Sequence, residues 1–183
     1  RQRQMCIRDR FLGGDLKFES STPLDESVFP EGDYSYTTIY EFGSVLGSDT
    51  NFQLASIKSV SSPYPLVGEI EILDSNNKKI IKKNPPTSGK VWLDARLASL
   101  LEVAVGEIVN IGEKDFSVSG IILSESDRGA GSFAFAPKAI MNSADLRESN
   151  VIQPGSRVRY SYTFLSSIET TKTLETFFQS IKT

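Results

Sequence analysis

The pattern of apolar and polar positions is densest in the middle of the chain, where short apolar runs follow one another with very little loop. Residues 91–93 predict a buried strand, and Asp94 is placed to cap a short helix that Gly106 would end. Ile108–Ile111 and residues 116–122 then predict the two strands of a hairpin. We expect much of the core of this segment to come from one set of side chains: Val91, Leu93, Leu97, Leu100, Leu101, Val109, Ile111, Val118 and Ile121.

Alternation of apolar and polar residues predicts further strands on both sides of this segment. Residues 34–46 and Phe52–Val60 are rich in β-branched and aromatic residues and flank the turn-forming sequence Gly-Ser-Asp-Thr, so they predict a long hairpin. Asp15–Ser20 predicts an earlier strand. Near the C-terminus the period of two is strict, and we expect Arg157 and Arg159 on the polar face of a strand. The residues expected on its buried face are Val158, Tyr160, Tyr162 and Phe164.

Signals for helices are fewer. Lys138–Asn142 follows Pro137 and is interpreted as a short helix, and residues 145–150 are interpreted as another helical turn. The C-terminal segment begins with Ser166 as a capping residue. Behind it, apolar side chains recur at the spacing of one helix face: Leu174, Phe177, Phe178 and Ile181.

Composition narrows the class of protein. The chain has 183 residues, 39% of them hydrophobic and 23% charged, which is ordinary for a globular protein long enough to bury a core. A net charge of −3 with mixed signs argues against a nucleic-acid surface. Cys6 is the one cysteine and there is no histidine, which removes most metal sites and most nucleophile–base pairs.

The first ten residues, RQRQMCIRDR, do not fit the rest of the chain. They contain four arginines and no usable periodicity, and they resemble a translated sequencing-adapter read-through. We expect residues 1–10 to be non-native or disordered and exclude them from the prediction of the fold.

Candidate chemistry is weak wherever it occurs. Residues 129–131 form a lone Gly-x-Gly that lacks the rest of a phosphate-binding pattern and predict a flexible turn. Glu125 and Asp127 could be paired carboxylates or calcium ligands, but without the spacing of a calcium loop they favour a solvated loop. Serines are abundant, yet without histidine only a Ser–Lys arrangement stays open. The sequence therefore predicts no catalytic, cofactor-binding or metal-binding residue.

Aromatic residues alternate with smaller polar ones along the first strand of the predicted hairpin. They are Tyr34, Tyr36, Tyr40 and Phe42. An aromatic strand that packs on a helix is the favoured interpretation, because aromatics are common strand residues. The functional interpretation is a surface that contacts a partner or an apolar, lipid-like cargo.

Several segments together resemble one family of membrane transporters. They are residues 12–24, 53–72, 89–112, 123–146 and 151–162, and their most diagnostic parts are YPL-x-G, VWLD-x-RL and QPGSRV-x-Y. The resemblance is to the extracytoplasmic domain of FtsX-like ABC transporter permeases, in particular the YbbP-type group with its MacB-like periplasmic core. It covers nearly everything from Leu12 to Thr183.

The resemblance implies an α+β fold of two subdomains. A Porter-like βαβ-type layer would be built from both chain ends, residues 11–64 and 154–183, and would lack a closing strand at its C-terminus. A β-rich Sabre-like subdomain, residues 65–153, would be inserted between these ends. The early strands and the terminal helix each need a partner, whereas the middle is self-contained, which agrees with this division.

The resemblance also implies a function. The domain would lie on the periplasmic side of the bacterial inner membrane as part of an integral membrane protein. It would be non-catalytic and would couple ATP hydrolysis by a cytoplasmic ABC ATPase to the export or extraction of an apolar or lipid-like cargo. Its partners would be that ATPase, a second permease copy and a periplasmic protein, with no nucleic acid and no cofactor. A free-standing periplasmic binding module and a small Ser–Lys hydrolase are the alternatives.

Overall fold

Strands dominate the structure, a computed structural model that describes residues 7–10, 15–126 and 135–181. The strands are β1 (Ile7–Arg10), β2 (Asp15–Ser20), β3 (Tyr34–Gly47), β4 (Phe52–Val60), β5 (Ile70–Leu73), β6 (Lys79–Lys82), β7 (Lys90–Asp94), β8 (Ile108–Ile111), β9 (Lys114–Glu125), β10 (Lys138–Asn142) and β11 (Val158–Ser166). The helices are α1 (Ala95–Leu101), α2 (Leu146–Ser149) and α3 (Ile168–Ile181), and short 3-10 turns occur at Glu26–Val28 and Ser143–Asp145.

All the strands belong to one sheet. Their order is β1-β2-β11-β3-β4-β10-β7-β9-β5-β6, and β8 pairs with both β3 and β9. Neighbours are antiparallel except for the parallel pairs β4 with β10 and β7 with β9. The result is a mixed α/β, strand-rich fold in which elements from both chain ends lie next to elements from the middle.

Residues of β3 pack on both faces of the sheet, because successive strand residues point to opposite sides. On one side, Phe42 packs with residues of α1, and Tyr36 packs with residues of α3. We call this side the helical face. Ile39 points to the opposite face and packs with Trp92 and Ile140 in a separate cluster.

The helical face holds two clusters. The cluster under α1 includes Leu97 and Leu101. In this cluster, strands from the middle of the chain pack with the β3–β4 hairpin. The cluster under α3 is built around Phe18 and Phe178, whose rings stack with centroids 4.0 Å apart. The expected apolar face of the C-terminal helix is confirmed, since Leu174 and Phe178 are buried.

Most predicted strands form as expected. Asp15–Ser20 and Phe52–Val60 have the predicted bounds, and the hairpin of β3 and β4 has Ile39 opposite Val60 and Gly47 opposite Phe52. The register of β11 is confirmed for Tyr162 and Phe164, which are buried. Val158, Arg159 and Tyr160 are all half-buried, and Ser161 is buried on the face expected to be polar. Arg157 lies just before that strand and is exposed.

The prediction of a helix at Lys138–Asn142 is wrong. This segment is strand β10, between β4 and β7 in the middle of the sheet. Ala139, Ile140 and Met141 are all fully buried, so both faces of the strand are covered and the period of two is absent. A short apolar run without alternation does not distinguish a buried strand from a helix.

The predicted helix after Asp94 is shorter than expected. The side chain of Asp94 accepts a hydrogen bond from the Leu97 amide at 2.7 Å, which confirms the cap. The helix already ends at Leu101, because Glu102 adopts a left-handed conformation with φ 55°. The prediction that Leu100 belongs to the core is wrong, since it is 43% exposed whereas its helical neighbours Leu97 and Leu101 are buried.

The expected disorder of residues 1–10 does not hold throughout. Ile7–Arg10 form β1 and pair with β2 in antiparallel register, with Arg10 opposite Asp15. Cys6 and the other residues before β1 lie outside the described part of the chain.

Candidate functional site

A chain of charged side chains crosses the face of the sheet opposite the helices. It runs through Arg159 in β11, Glu41 in β3, Lys58 in β4, Glu125 at the end of β9 and Lys138 at the start of β10. We call these five residues the ionic network. Three cations alternate with two carboxylates along it.

The sheet register aligns the first half of the network. Glu41 lies directly opposite Arg159 on one side and Lys58 on the other. The Arg159 guanidinium is 3.3 Å from Glu41 Oε2, and Lys58 Nζ is 4.0 Å from Glu41 Oε1. Opposite charges that face each other across strands favour this pairing.

Glu125 is the centre of the second half. Its Oε1 accepts hydrogen bonds from Lys58 Nζ and from the Tyr64 hydroxyl, and its Oε2 is 2.7 Å from Lys138 Nζ. Lys58 also donates to the Tyr64 hydroxyl at 3.1 Å and lies 5.6 Å from the centre of that ring. Tyr64 stands between two cis prolyl bonds, at Pro63 and Pro65.

The centre of the network is buried. Lys58 is 1% exposed and Glu125 is 7% exposed. Burial alone would raise the pKa of the Glu125 carboxyl, but the charges and hydrogen bonds of Lys58 and Lys138 outweigh it and hold that pKa below its ordinary value. The carboxylate is thus ionised in the folded protein, where it compensates the buried ammonium group.

This arrangement suits a structural connection better than a reaction. Both oxygens of Glu125 already accept hydrogen bonds, so the carboxylate is not a free general base. Ser59, beside Lys58 in β4, points to the other face of the sheet and cannot form a dyad with that lysine. The network instead ties together strands that are far apart in sequence.

A β-bulge explains why Glu125 points inward. The register between β5 and β9 shifts at Glu71 and Ile72, so Ile70 lies opposite Glu125 instead of Ser124. Ile70 is fully buried, and the extra residue therefore turns Glu125 towards the core. The prediction of a solvated loop at Glu125 is wrong, since Glu125 is the last residue of β9 and is 7% exposed. Strand periodicity contains no signal for the bulge.

Asp127 and the Gly-x-Gly turn at residues 129–131 lie outside the described residues.

A second buried carboxylate stabilises the outer part of the molecule. The Asp145 side chain is 1% exposed and accepts hydrogen bonds from Ser88 Oγ at 2.6 Å and from the Gly89 amide at 2.9 Å. Lys114 Nζ lies 2.7 Å from Asp145 Oδ1 and 2.5 Å from Glu148 Oε2. Burial opposes ionisation of Asp145, but these donors outweigh it and lower its pKa. The cluster joins the start of β7 to β9 and α2.

The aromatic residues predicted as a surface are divided between different environments. Phe42 is 1% exposed and belongs to the cluster under α1, so it cannot contact a partner. Tyr34 and Tyr36 are half-buried and pack on Phe164, with centroids 5.4 and 5.5 Å from that ring. Tyr36 also donates a hydrogen bond to Glu26 Oε2 at 2.7 Å.

Tyr40 lies apart from the other tyrosines of β3. It is half-buried and meets Tyr160 of β11 edge to face, with centroids 4.8 Å apart. The favoured interpretation of an aromatic strand packed beneath a helix therefore describes Tyr34 and Tyr36 under α3 and Phe42 under α1. A contact surface for a partner or cargo stays a prediction. Of its four predicted residues, Tyr40 is the one that lies apart from the other tyrosines of β3.

None of the helices within residues 7–10, 15–126 and 135–181 is long and apolar enough to cross a membrane. In the same ranges, no group of three or more acidic, histidine or cysteine side chains is placed to hold a metal ion.

Comparison with known proteins identifies a relative over most of the chain. Over 157 residues the chain is 29% identical to the uncharacterized ABC transporter permease YbbP of Escherichia coli (strain K12). The predicted resemblance to a YbbP-type ABC transporter permease is confirmed. The match covers 84% of this chain but 19% of that permease, so the chain spans about a fifth of the relative's length. No family model matches the chain.

The solved structure of one periplasmic domain shows the same fold. The periplasmic region of MacB from Actinobacillus actinomycetemcomitans superposes with a TM-score of 0.54 at 16% identity, covering 83% of this chain and 70% of that one. The extracellular domain of the ABC-type transporter YknZ from Gram-positive bacteria gives a TM-score of 0.47 at 13% identity, covering 75% of this chain and 68% of that one. The MacB-like fold predicted from the sequence is thus present.

Proposed function

We propose that this chain is the extracytoplasmic domain of an ABC-type permease and that it transmits motion without catalysing a reaction. It would lie on the periplasmic side of the bacterial inner membrane, attached to membrane helices. Its partners would be a cytoplasmic ABC ATPase and a second permease copy, and the cargo would be apolar or lipid-like. Similarity to YbbP over 84% of the chain and the MacB-like fold support this assignment.

The observation that carries the proposal is the ionic network across the sheet. Arg159 and Glu41 lie in strands from the terminal segments, whereas Glu125 and Lys138 lie in strands from the middle. Lys58 joins the two halves from the centre. A displacement of the chain ends would therefore reach the middle of the domain through a continuous sheet and buried ion pairs, which are stiff because their geometry is specific.

We extend the proposal to two subdomains with the bounds 11–64 and 154–183 for the Porter-like part and 65–153 for the Sabre-like part. The cluster under α3 supports this division, since its residues come from the terminal segments alone. The β3–β4 hairpin contributes Phe42 and Ile57 to the cluster under α1 as well, so it would be the element shared by both parts.

Full-length permease with its ATPase provides the test. Glu125→Gln should leave the domain folded but reduce the coupling between ATP hydrolysis and transport, because the link from β4 to β9 and β10 loses its charge. Glu69→Gln is the matched control, since Glu69 is exposed and near the same strands. ATPase rate and a transport phenotype would be followed together. Normal coupling in a stable Glu125→Gln protein would refute the relay.

A Ser–Lys hydrolase makes the opposite prediction. Removing one serine would then abolish function with no change in stability, typically by a factor of about a hundred or more. The relay predicts that no single serine substitution behaves in this way.

A further inference from the structure

Apolar side chains are exposed together at the outer end of the β3–β4 hairpin. Phe52 is 78% exposed, Leu54 63% and Val45 52%, and Ile108 of the neighbouring β8 is 52% exposed. We call these four residues the hairpin patch. Val45 lies opposite Leu54, and Phe52 lies opposite Gly47, so the three hairpin residues share one face.

The hairpin part of the patch is held in place by the sheet. A Cβ at Gly47 would meet the Phe52 ring at 2.9 and 3.1 Å, so the ring lies against the bare backbone of β3. The other face of the same strands is anchored in the core, where Leu46 is 0% and Ala55 1% exposed. Contiguous apolar surface held on rigid strands is typical of an interaction site.

Carboxylates lie around the patch. They argue against two kinds of occupant, a second copy of this chain and an anionic lipid surface. Asp49 lies in the hairpin turn, Glu107 precedes Ile108, and Asp115 lies opposite Asn110 in β9; all three are exposed. Two cations lie near the patch: Lys90, one strand beyond β9, and Lys138, which is opposite Ser56 in β4 and is paired with Glu125. A second copy of this chain would bring the same carboxylates face to face, and an anionic lipid surface would be repelled.

The position of the patch also excludes the bilayer, and this step rests on the proposed function. The first residues of β2 lie at the Leu165 end of β11, beside the start of β3. The patch is at the other end of β3, whose 14 residues span roughly 40 Å at about 3.3 Å per residue. A membrane at the edge where β2 starts would therefore lie far from the hairpin.

We infer that the hairpin patch docks a protein segment on the aqueous side of the membrane, and that this segment presents apolar side chains flanked by lysine or arginine. The apolar residues would cover the face formed by Phe52 and Leu54. The basic residues would pair with the carboxylates around it, which would speed association and make it dependent on salt.

Two synthetic peptides with the same leucine-rich face test this, one flanked by lysines and the other by glutamates. Binding to the 183-residue chain would be measured by fluorescence anisotropy at low salt. The lysine-flanked peptide should bind, and Phe52→Ser with Leu54→Ser should weaken it at least about tenfold. The matched control is Ile81→Ser, because Ile81 is 54% exposed but lies in β6. Equal binding of both peptides, or an equal loss in the control, would overturn the inference.

Further arms separate the other occupants. Asp49→Asn with Asp115→Asn should reduce the salt dependence of peptide binding, and an unchanged salt dependence would contradict the charge argument. Self-association, or binding to vesicles of anionic phospholipid, that is lost in the Phe52→Ser, Leu54→Ser protein would also overturn the inference. None of these assays involves transport, so their failure is distinguishable from failure of the relay.

Discussion

Replacing Glu125 by glutamine should be the most damaging isosteric change in the ionic network. The substitution keeps the size of the side chain but removes the charge that compensates Lys58, which is 1% exposed. Glu41 stays 4.0 Å from Lys58 Nζ, beyond hydrogen-bond distance, so it compensates the ammonium group only in part. Breaking a buried ion pair by removing one member costs about 3–5 kcal/mol.

The free energy of unfolding would be measured by urea titration of wild type, Glu125→Gln, Lys58→Met and the double variant at neutral pH. Because Lys58 and Glu125 are in contact, we expect the two single effects to exceed the double effect by about 1–3 kcal/mol. Glu69→Gln, on an exposed carboxylate, should stay within about 0.5 kcal/mol of wild type. A Glu125→Gln protein as stable as this control would show that the network contributes nothing to the fold.

The same variants should differ in their response to acid. Folding lowers the pKa of the Glu125 carboxyl. The ionised carboxylate therefore stabilises the folded state at pH values above the ordinary pKa of this group, about 4.3. That contribution is lost as the pH falls through the lower pKa of the folded state. Wild type should therefore lose stability more steeply than Glu125→Gln below about pH 5. Parallel acid profiles for the two proteins would contradict the direction of the shift.

Three further predictions concern the helical face. Phe178→Ala should cost about 3–5 kcal/mol in thermal or urea unfolding, because this fully buried ring stacks in the cluster under α3. Leu97→Ala should cost about 2–5 kcal/mol and Leu100→Ala less than about 1 kcal/mol, and equal losses would contradict their different burial. The hydrogen bond to Glu26 raises the pKa of Tyr36 to about 12, so Glu26→Gln should lower the pKa that NMR titration of that phenol detects.

Local patterns were sufficient wherever one face of an element is buried and the other is solvated. The bounds of β2, the cap at Asp94 and the apolar face of α3 follow from such patterns, because period and capping are short-range properties. The resemblance to YbbP-type permeases likewise came from motifs in the linear sequence, and it implied the fold that the MacB periplasmic region shares.

Tertiary structure decided the elements whose environment depends on distant strands. Segment Lys138–Asn142 is a strand because β4 and β7 cover its edges, and nothing within its five residues encodes those neighbours. Leu100 is exposed because Leu97, Ala98 and Leu101 form the buried face of α1 and Leu100 lies outside that face.

The candidate site belongs to the same class. Arg159, Glu41 and Lys58 are separated by long stretches of sequence, and only the register of β11, β3 and β4 aligns them. Glu125 joins them because a bulge shifts β9 by one residue. The sequence by itself determined most of the alternating segments, the cap at Asp94 and the family that the chain resembles, since these depend on neighbouring residues and linear motifs. The pairing of strands decided which charges meet in the core, because a change of one residue in register moves a side chain from solvent to the interior.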